Sequence, residues 1–158
     1  MVTQDEIKLV GLSIRTNNKN EMNPSTAKIA GLAGKFWSQG YAGKIQYRKN
    51  PGTTYSVYTE YDSDEHGDYT YFIGEEVTSF DDVSSDLSQL TIPAAKYQKF
   101  TTNPGKMPEV AIVAWQQIWK MTPDDFGGRR AYQADFEVYD ERAHDPSSAS
   151  LDIYIGIK

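Results

Sequence analysis

Alternation of hydrophobic and polar residues predicts most of the strands of this chain. Short runs with an apolar residue at every second position, bounded by Asn, Asp, Pro or Gly, are typical of strands. Such runs predict strands at residues 7–16, 54–61, 69–77, 90–101, 131–140 and 150–157, the fourth interrupted by Pro93. Residues 62–67 have the composition of an acidic hairpin turn, and residues 80–88 that of a polar joint between two halves.

Two segments have helical periodicity instead. The first carries one apolar stripe made of Ile29, Leu32, Ala33, Phe36 and Trp37. This stripe predicts an amphipathic helix that begins at Asn23-Pro24 and ends near Gly40. The second helix is predicted from about 108 to 121. Its apolar stripe is wider than packing on a sheet requires, as expected of a helix that also lines a cleft.

The two halves of the chain repeat each other. Phe36-Trp37 precedes Ile118-Trp119 by 82 residues, and the segment 71–74 precedes 153–156 by the same interval. Residues 55–60 precede 136–141 by 81. We therefore predict one domain, 1–158, with an α+β fold. Two pseudo-twofold-related β-α-β-β halves, about 5–79 and 89–158, would share an antiparallel sheet platform with two main helices.

One carboxylate breaks this symmetry. Strand alternation places Asp135, Glu137 and Tyr139 on one face. In the first half Tyr58 corresponds to Tyr139, but Ser56 corresponds to Glu137. A carboxylate among aromatic rings is costly to desolvate unless a positive charge meets it. That charge comes either from an internal Lys or Arg or from a bound ligand.

Composition excludes several classes of site. The 158 residues contain no cysteine, and the net charge of −6 argues against a nucleic-acid surface. The two histidines, His66 and His144, are far apart, and the 62–67 turn lacks the glutamate of a calcium loop. Nucleophile elbows, phosphate loops and dinucleotide fingerprints are absent from the sequence. We expect no metal, cofactor or catalytic residue, no membrane segment, and a cytoplasmic protein.

A set of short motifs, in order, covers essentially the whole chain. They are Tyr-Thr-Tyr-Phe-Ile-Gly at 69–74, Ile-Pro-Ala-Ala-Lys-Tyr at 92–97, Trp-x-x-Ile-Trp at 115–119, Phe-Glu-Val-Tyr at 136–139 and Ile-Tyr-Ile-Gly-Ile-Lys at 153–158. With these motifs the chain resembles the GyrI-like effector-binding domain of AraC-type and MerR-type transcription regulators. Within that family it is most similar to free-standing, integron-cassette-encoded proteins that bind cationic drugs.

The resemblance implies a cleft between the halves, in which a glutamate meets lipophilic cations and aromatic rings stack on them. The family glutamate corresponds to Glu137, in the Phe-Glu-x-Tyr motif, and the helix tryptophan to Trp115 or Trp119. The repeat adds Tyr58 and Tyr139 as stacking candidates. Secondary candidates are Phe36, Trp37, Tyr71 and Tyr154. The expected function is non-catalytic binding of small lipophilic cations.

Alternatives remain open at this point. Glu137 could pair with a Lys or Arg of its own chain, or act as the general base of a small-molecule hydrolase. The protein could also be an interaction module like the gyrase inhibitors. Family regulators carry a helix-turn-helix segment that these residues do not contain, so we expect no direct nucleic-acid binding. Phe36 and Trp37 point about 100° apart on a helix, so we expect at most one to reach the cleft.

Overall fold

A computed structural model gives the structure of residues 2–64 and 66–158. Glu65, part of the predicted acidic turn, lies outside the described residues. The strands are β1 (Val2–Gln4), β2 (Ile7–Asn17), β3 (Thr54–Thr59), β4 (Asp68–Glu76), β5 (Ser88–Ile92), β6 (Ala95–Thr101), β7 (Arg130–Tyr139) and β8 (Asp152–Ile157). The helices are α1 (Asn18–Glu21), α2 (Ile29–Ser38), α3 (Glu109–Trp119) and α4 (Pro123–Phe126).

The strands form one curled antiparallel sheet in the order β1-β6-β8-β7-β3-β4-β2-β5. Read outward from its centre, the first half contributes β3, β4 and β2, and the second half contributes β7, β8 and β6 in the same order. The centre of the sheet is the β3–β7 pair, in which Ser56 lies directly opposite Glu137. The two residues that correspond in the repeat are thus cross-strand neighbours, and the pseudo-twofold axis passes between them. The expected α+β fold is confirmed.

The N-terminal strands β1 and β2 also join the two halves. Residues 7–11 pair with 88–92, and residues 2–4 pair with 95–97 in the same register. The N-terminal strand β1 therefore belongs to the second half of the sheet, although its chain continues into the first. The sequence did not predict β1 as a separate strand, because its three residues show no alternation.

Each half packs one helix on the same face of the sheet. In α2, Phe36 is buried in a cluster with β2 and β4 residues, and in α3, Ile118 is buried with β8 residues. The opposite face holds a third cluster centred on Val57, Phe72 and Phe136. Helix-side positions of β3 and β7 therefore lie beneath the space between α2 and α3, which is where the polar residues of the sheet centre meet the helices.

The predicted start of the first helix is wrong. The helix begins at Ile29, and the Asn23 side chain instead accepts from the backbone N–H of Ser25 within a local turn. The first helical N–H groups are satisfied by Glu21, whose carboxylate accepts from Lys28 N at 2.9 Å and Ile29 N at 3.1 Å. Because the capping side chain comes from the preceding helix, the residues next to the start of α2 carry no capping motif of their own.

Among the described residues, no helix has the length and apolar character needed to cross a membrane.

Candidate ligand-binding site

Glu137 is a buried carboxylate at the centre of the sheet. Its side chain points toward the helices, and only 3% of the residue is exposed. The Tyr139 hydroxyl donates to Oε2 at 2.8 Å, and the Tyr58 hydroxyl donates to Oε1 at 3.3 Å. Each carboxylate oxygen is therefore met by one of two tyrosines that correspond in the repeat. The two tyrosines are thus related by the repeat, whereas Glu137 has no equivalent glutamate in the first half.

The cation near this part of the sheet, Arg130, pairs with a different carboxylate, Asp135. Arg130 donates from Nη2 to Asp135 at 2.7 Å, and Asp135 also accepts from the Tyr61 hydroxyl and from Gly156 N. An irregularity in the β7–β8 register between Arg130 and Asp135 accompanies this pairing. Within the described residues, Glu137 forms no ion pair with any Lys or Arg. Internal charge pairing therefore accounts for Asp135 and not for Glu137.

Burial controls the electrostatics of Glu137. Desolvation raises the pKa of this carboxyl, while contacts from Tyr139, Trp115 and Tyr58 act in the opposite direction and lower it. The indole Nε1 of Trp115 is buried and, among the residues the structure describes, finds no acceptor in good hydrogen-bond geometry. Neutral donors thus offset only part of the desolvation cost, and the carboxylate stays electrostatically under-compensated.

An aromatic cavity of about 200 Å³ opens next to Glu137. Its walls are Asn18, Glu21, Ile29, Tyr58, Tyr61, Tyr69, Ile112, Trp115 and Trp119. We call it the aromatic pocket. The Tyr58 ring lies 5.3 Å from the Trp115 ring, which lies 6.4 Å from Trp119. Glu137 is not on the wall. It lies behind Tyr58 and Trp115, so its charge acts on the pocket through their rings.

Both helix tryptophans of α3 therefore reach the pocket. Trp115 sits deeper, and Trp119 is 48% exposed at the mouth. The corresponding segment of α2, Phe36-Trp37, matches Ile118-Trp119 in the repeat. Phe36 is completely buried in the core, and only its neighbour Trp37 is exposed, at 50%.

The repeat produces a second cavity on the other side of the axis. It has a volume of about 540 Å³, and its walls include Trp37 and Tyr139, the counterparts of Trp119 and Tyr58. Trp37 meets Tyr139 edge-on at 6.2 Å. The wall also carries Arg48, whose Nη1 lies 3.6 Å from Glu75. A guanidinium on the wall makes this second cavity less suitable for a cation than the aromatic pocket.

The remaining candidates, Tyr71 and Tyr154, do not line the aromatic pocket. Tyr71 is buried beneath it and shares a 2.8 Å hydrogen bond with Ser56. Tyr154 is on the opposite face of the sheet, stacked on Phe136 at 4.7 Å. Neither Phe36 nor Tyr154 therefore contributes to the aromatic pocket. Phe36 is buried in the core, and strand alternation turns Tyr154 to the opposite face of the sheet.

The sequence candidates include three of the nine wall residues, Tyr58, Trp115 and Trp119, and omit the other six. Among the omitted residues, Tyr61 and Tyr69 lie with their rings 5.8 Å apart and form one side of the pocket. Glu21 was not considered. Its position follows from the capping of α2, for which the sequence carries no local signal.

The structure also bears on other chemistry. Among the described residues, no three His, Cys, Asp or Glu side chains come together as a metal site would require. The groups available at the site are the buried carboxylate of Glu137, the wall carboxylate of Glu21, tyrosine hydroxyls and aromatic rings.

A profile of the integron-associated effector binding protein family, Cass2, matches residues 1–157. The chain belongs to this family. The resemblance drawn from the sequence motifs is thereby confirmed, and with it the assignment to an effector-binding, regulator-like class of proteins.

Individual relatives cover nearly the full chain. The Cass2 integron cassette protein VCH_CASS2 of Vibrio cholerae is 27% identical, with a TM-score of 0.78 over 99% of this chain and 94% of that one. SAV2435, solved with bound tetraphenylphosphonium, is 18% identical, with a TM-score of 0.76 over 99% and 92%. YobU of Bacillus subtilis strain 168, named as a candidate transcriptional regulator, is 29% identical over 96% of this chain and 92% of its own.

Proposed function

We propose that this Cass2-family protein binds small lipophilic cations in the aromatic pocket, without catalysis, and that Glu137 supplies the attracting charge. The observation that carries the proposal is the state of Glu137. It is a buried carboxylate with no cationic partner among the described residues, and it sits directly behind a wall of aromatic rings.

The physical basis is a combination of ring stacking and buried charge. A cation over an aromatic face gains roughly 0.5–2 kcal/mol, and more when water is excluded. Tyr58, Trp115 and Trp119 offer such faces on adjacent walls. Glu137 lies in a low-dielectric environment, where its field reaches farther than it would in water. Broad recognition of flat or propeller-shaped cations follows, because neither force requires matched hydrogen bonds.

The relatives support the same class of ligand. SAV2435, which shares the fold at 18% identity, was solved with tetraphenylphosphonium, a permanently charged lipophilic cation. The match to an effector-binding family supports a bound small molecule in general. Tetraphenylphosphonium is therefore the natural first probe for this chain.

The position of Glu137 favours binding over hydrolysis. A general base must come within about 3 Å of the proton it removes. Glu137 is behind Tyr58 and Trp115, and both carboxylate oxygens accept hydrogen bonds from tyrosines. Electrostatic attraction acts across an intervening ring, whereas proton transfer does not.

The test is a calorimetric titration of tetraphenylphosphonium into the wild type and Glu137→Gln, with neutral tetraphenylmethane-type analogues as ligand control. We expect micromolar binding by the wild type, weakened about tenfold by the substitution, since tenfold is about 1.4 kcal/mol and suits one partly screened charge. Equal binding of cation and neutral analogue, or no effect of Glu137→Gln, would refute the proposal.

A further inference from the structure

We propose that the aromatic pocket selects aromatic dications over monocations, because Glu21 places a second carboxylate on its wall. This inference rests on the proposed function and specifies its ligand class. Glu21 becomes a specificity-determining residue, which binds the second positive charge of the ligand while Glu137 attracts the first.

Glu21 is held in a fixed place at the pocket wall. The residue is half-buried, and its carboxylate accepts from the Thr16 hydroxyl at 2.6 Å and from the two N–H groups at the start of α2. These donors are all neutral. They restrict the orientation of the carboxylate, so little side-chain entropy remains to be lost when a ligand binds.

No cation of the described protein neutralises the pocket. Glu21 forms no ion pair with a Lys or Arg among the described residues, and the wall contains neither residue type. The second cavity provides the contrast, because there Arg48 pairs with the wall carboxylate Glu75. One carboxylate, Glu21, therefore lies on the wall and a second, Glu137, lies behind it, and the wall itself carries no Lys or Arg.

The two carboxylates act on the same aromatic cluster. Burial is the main cause that raises the pKa of the Tyr71 hydroxyl, and both Glu137 and Glu21 raise it further through their charge. Glu21 also raises the pKa of Tyr69, after the larger effect of burial. Tyr71 is thus within the field of both carboxylates, so both act on one cluster of rings.

A flat ligand with two separated positive charges is attracted by both carboxylates, by Glu21 on the wall and by Glu137 from behind Tyr58 and Trp115. A monocation of the same shape gains the attraction of only one at close range. The dication also loses more hydration on entry, so the advantage is smaller than a doubling of the Coulomb energy. We expect the wild type to bind the dication about tenfold more tightly than the monocation.

The matched ligands are 1-methyl-4-(4-pyridyl)pyridinium and 1,1'-dimethyl-4,4'-bipyridinium, which differ by one methyl group and one charge. Calorimetric titrations give the ratio of their dissociation constants for the wild type, Glu21→Gln and Glu6→Gln. Glutamine keeps one acceptor oxygen, which can serve one of the two N–H groups at the start of α2. Glu6 is exposed and outside the pocket wall, so Glu6→Gln controls for net charge.

We expect the preference for the dication to fall several-fold in Glu21→Gln and to be unchanged in Glu6→Gln. Because both ligands are measured on the same variant, a general loss of stability cancels in the ratio. A second variant leaves the α2 cap intact. Ile112 is a half-exposed wall residue, and Ile112→Lys should also reduce the preference, through repulsion.

A wild-type ratio near one, or the same ratio in Glu21→Gln, would overturn the inference. If tetraphenylphosphonium binds in a manner dependent on Glu137 while the dication has no advantage, the proposed function stands and only the role of Glu21 fails. If no cation binds the wild type, both fail together.

Discussion

The Tyr139 hydroxyl lies 2.8 Å from Oε2 of Glu137, two residues earlier on the same strand. The pair shares one face of β7, so the strand itself sets the geometry. Tyr58 approaches the other carboxylate oxygen from the neighbouring strand at 3.3 Å. Tyrosine hydroxyls thus take over part of the role of water around a carboxylate that the fold has buried.

Tyr139→Phe should weaken cation binding at neutral pH about three- to tenfold. The variant loses a hydrogen bond that favours the charged form of Glu137, and such a bond contributes about 1.5–3 kcal/mol. Without it, a larger fraction of the protein carries a protonated and therefore neutral Glu137. Loss of this donor raises the pKa of Glu137 further. The matched control is Tyr71→Phe, whose hydroxyl shares its hydrogen bond with Ser56 instead. Titration with tetraphenylphosphonium separates the two variants, and equal losses would contradict the role of Tyr139.

Cation affinity should depend on pH through Glu137. Burial raises the pKa of this carboxyl, so in mildly acid solution it is neutral in a larger fraction of molecules than an ordinary glutamate. Affinity for a permanently charged ligand should rise with pH up to that raised pKa and then level off. The same titration series on Glu137→Gln should be flat. A slope that persists in this variant would assign the pH dependence to another group.

The burial of Glu137 should cost stability at neutral pH. Because its pKa is raised in the folded state, the folded protein holds this proton more tightly than the unfolded chain does. The free energy of unfolding therefore falls as pH rises from the ordinary glutamate range to the raised pKa, and the loss persists above it.

Glu137→Gln should consequently be more stable than the wild type at about pH 7, by about 1 kcal/mol or 2–4 °C in melting temperature. The difference should shrink as the pH falls through the ordinary glutamate range, because the carboxyl then becomes protonated in both states. Thermal melts at neutral pH and through this range test this expectation, with the exposed Glu6→Gln as the charge control. A variant that is less stable at neutral pH would show that the tyrosine hydrogen bonds outweigh desolvation.

Trp119 and Trp37 provide a matched pair for the stacking role. They occupy corresponding positions on α3 and α2 and are similarly exposed, at 48% and 50%, so neither substitution removes a buried core residue. Trp119→Ala should weaken tetraphenylphosphonium binding about five- to thirtyfold, from about 1–2 kcal/mol of lost cation–ring contact. Trp37→Ala should leave binding unchanged. Equal losses of affinity in the two variants would indicate instead that the ligand spans the pseudo-twofold axis.

The sequence was informative wherever a feature depends on periodicity. Strand alternation and the repeat placed Glu137, Tyr58 and Tyr139 on one side of the sheet, and the structure shows the two tyrosines bonded to the carboxylate. The same alternation places Tyr154 on the opposite face of the sheet, away from the aromatic pocket.

The sequence was uninformative where a position depends on distant partners. Glu21 reaches the pocket because it caps a helix that begins eight residues later, and its carboxylate oxygens have no sequence signature for that role. Likewise, Arg130 neutralises Asp135 and not Glu137, through an irregular strand pairing that alternation does not predict.

The pairing of Ser56 with Glu137 across the central ladder has an evolutionary consequence. A homodimer of two identical half-length chains would place the same residue on both sides of its dyad. Two glutamates would then face each other directly, and like charges in that position repel. A gene that encodes both halves in tandem escapes this constraint, because each copy can diverge alone. Duplication and fusion thus allow a single unopposed carboxylate at the symmetry axis, which no dimer of identical halves can carry.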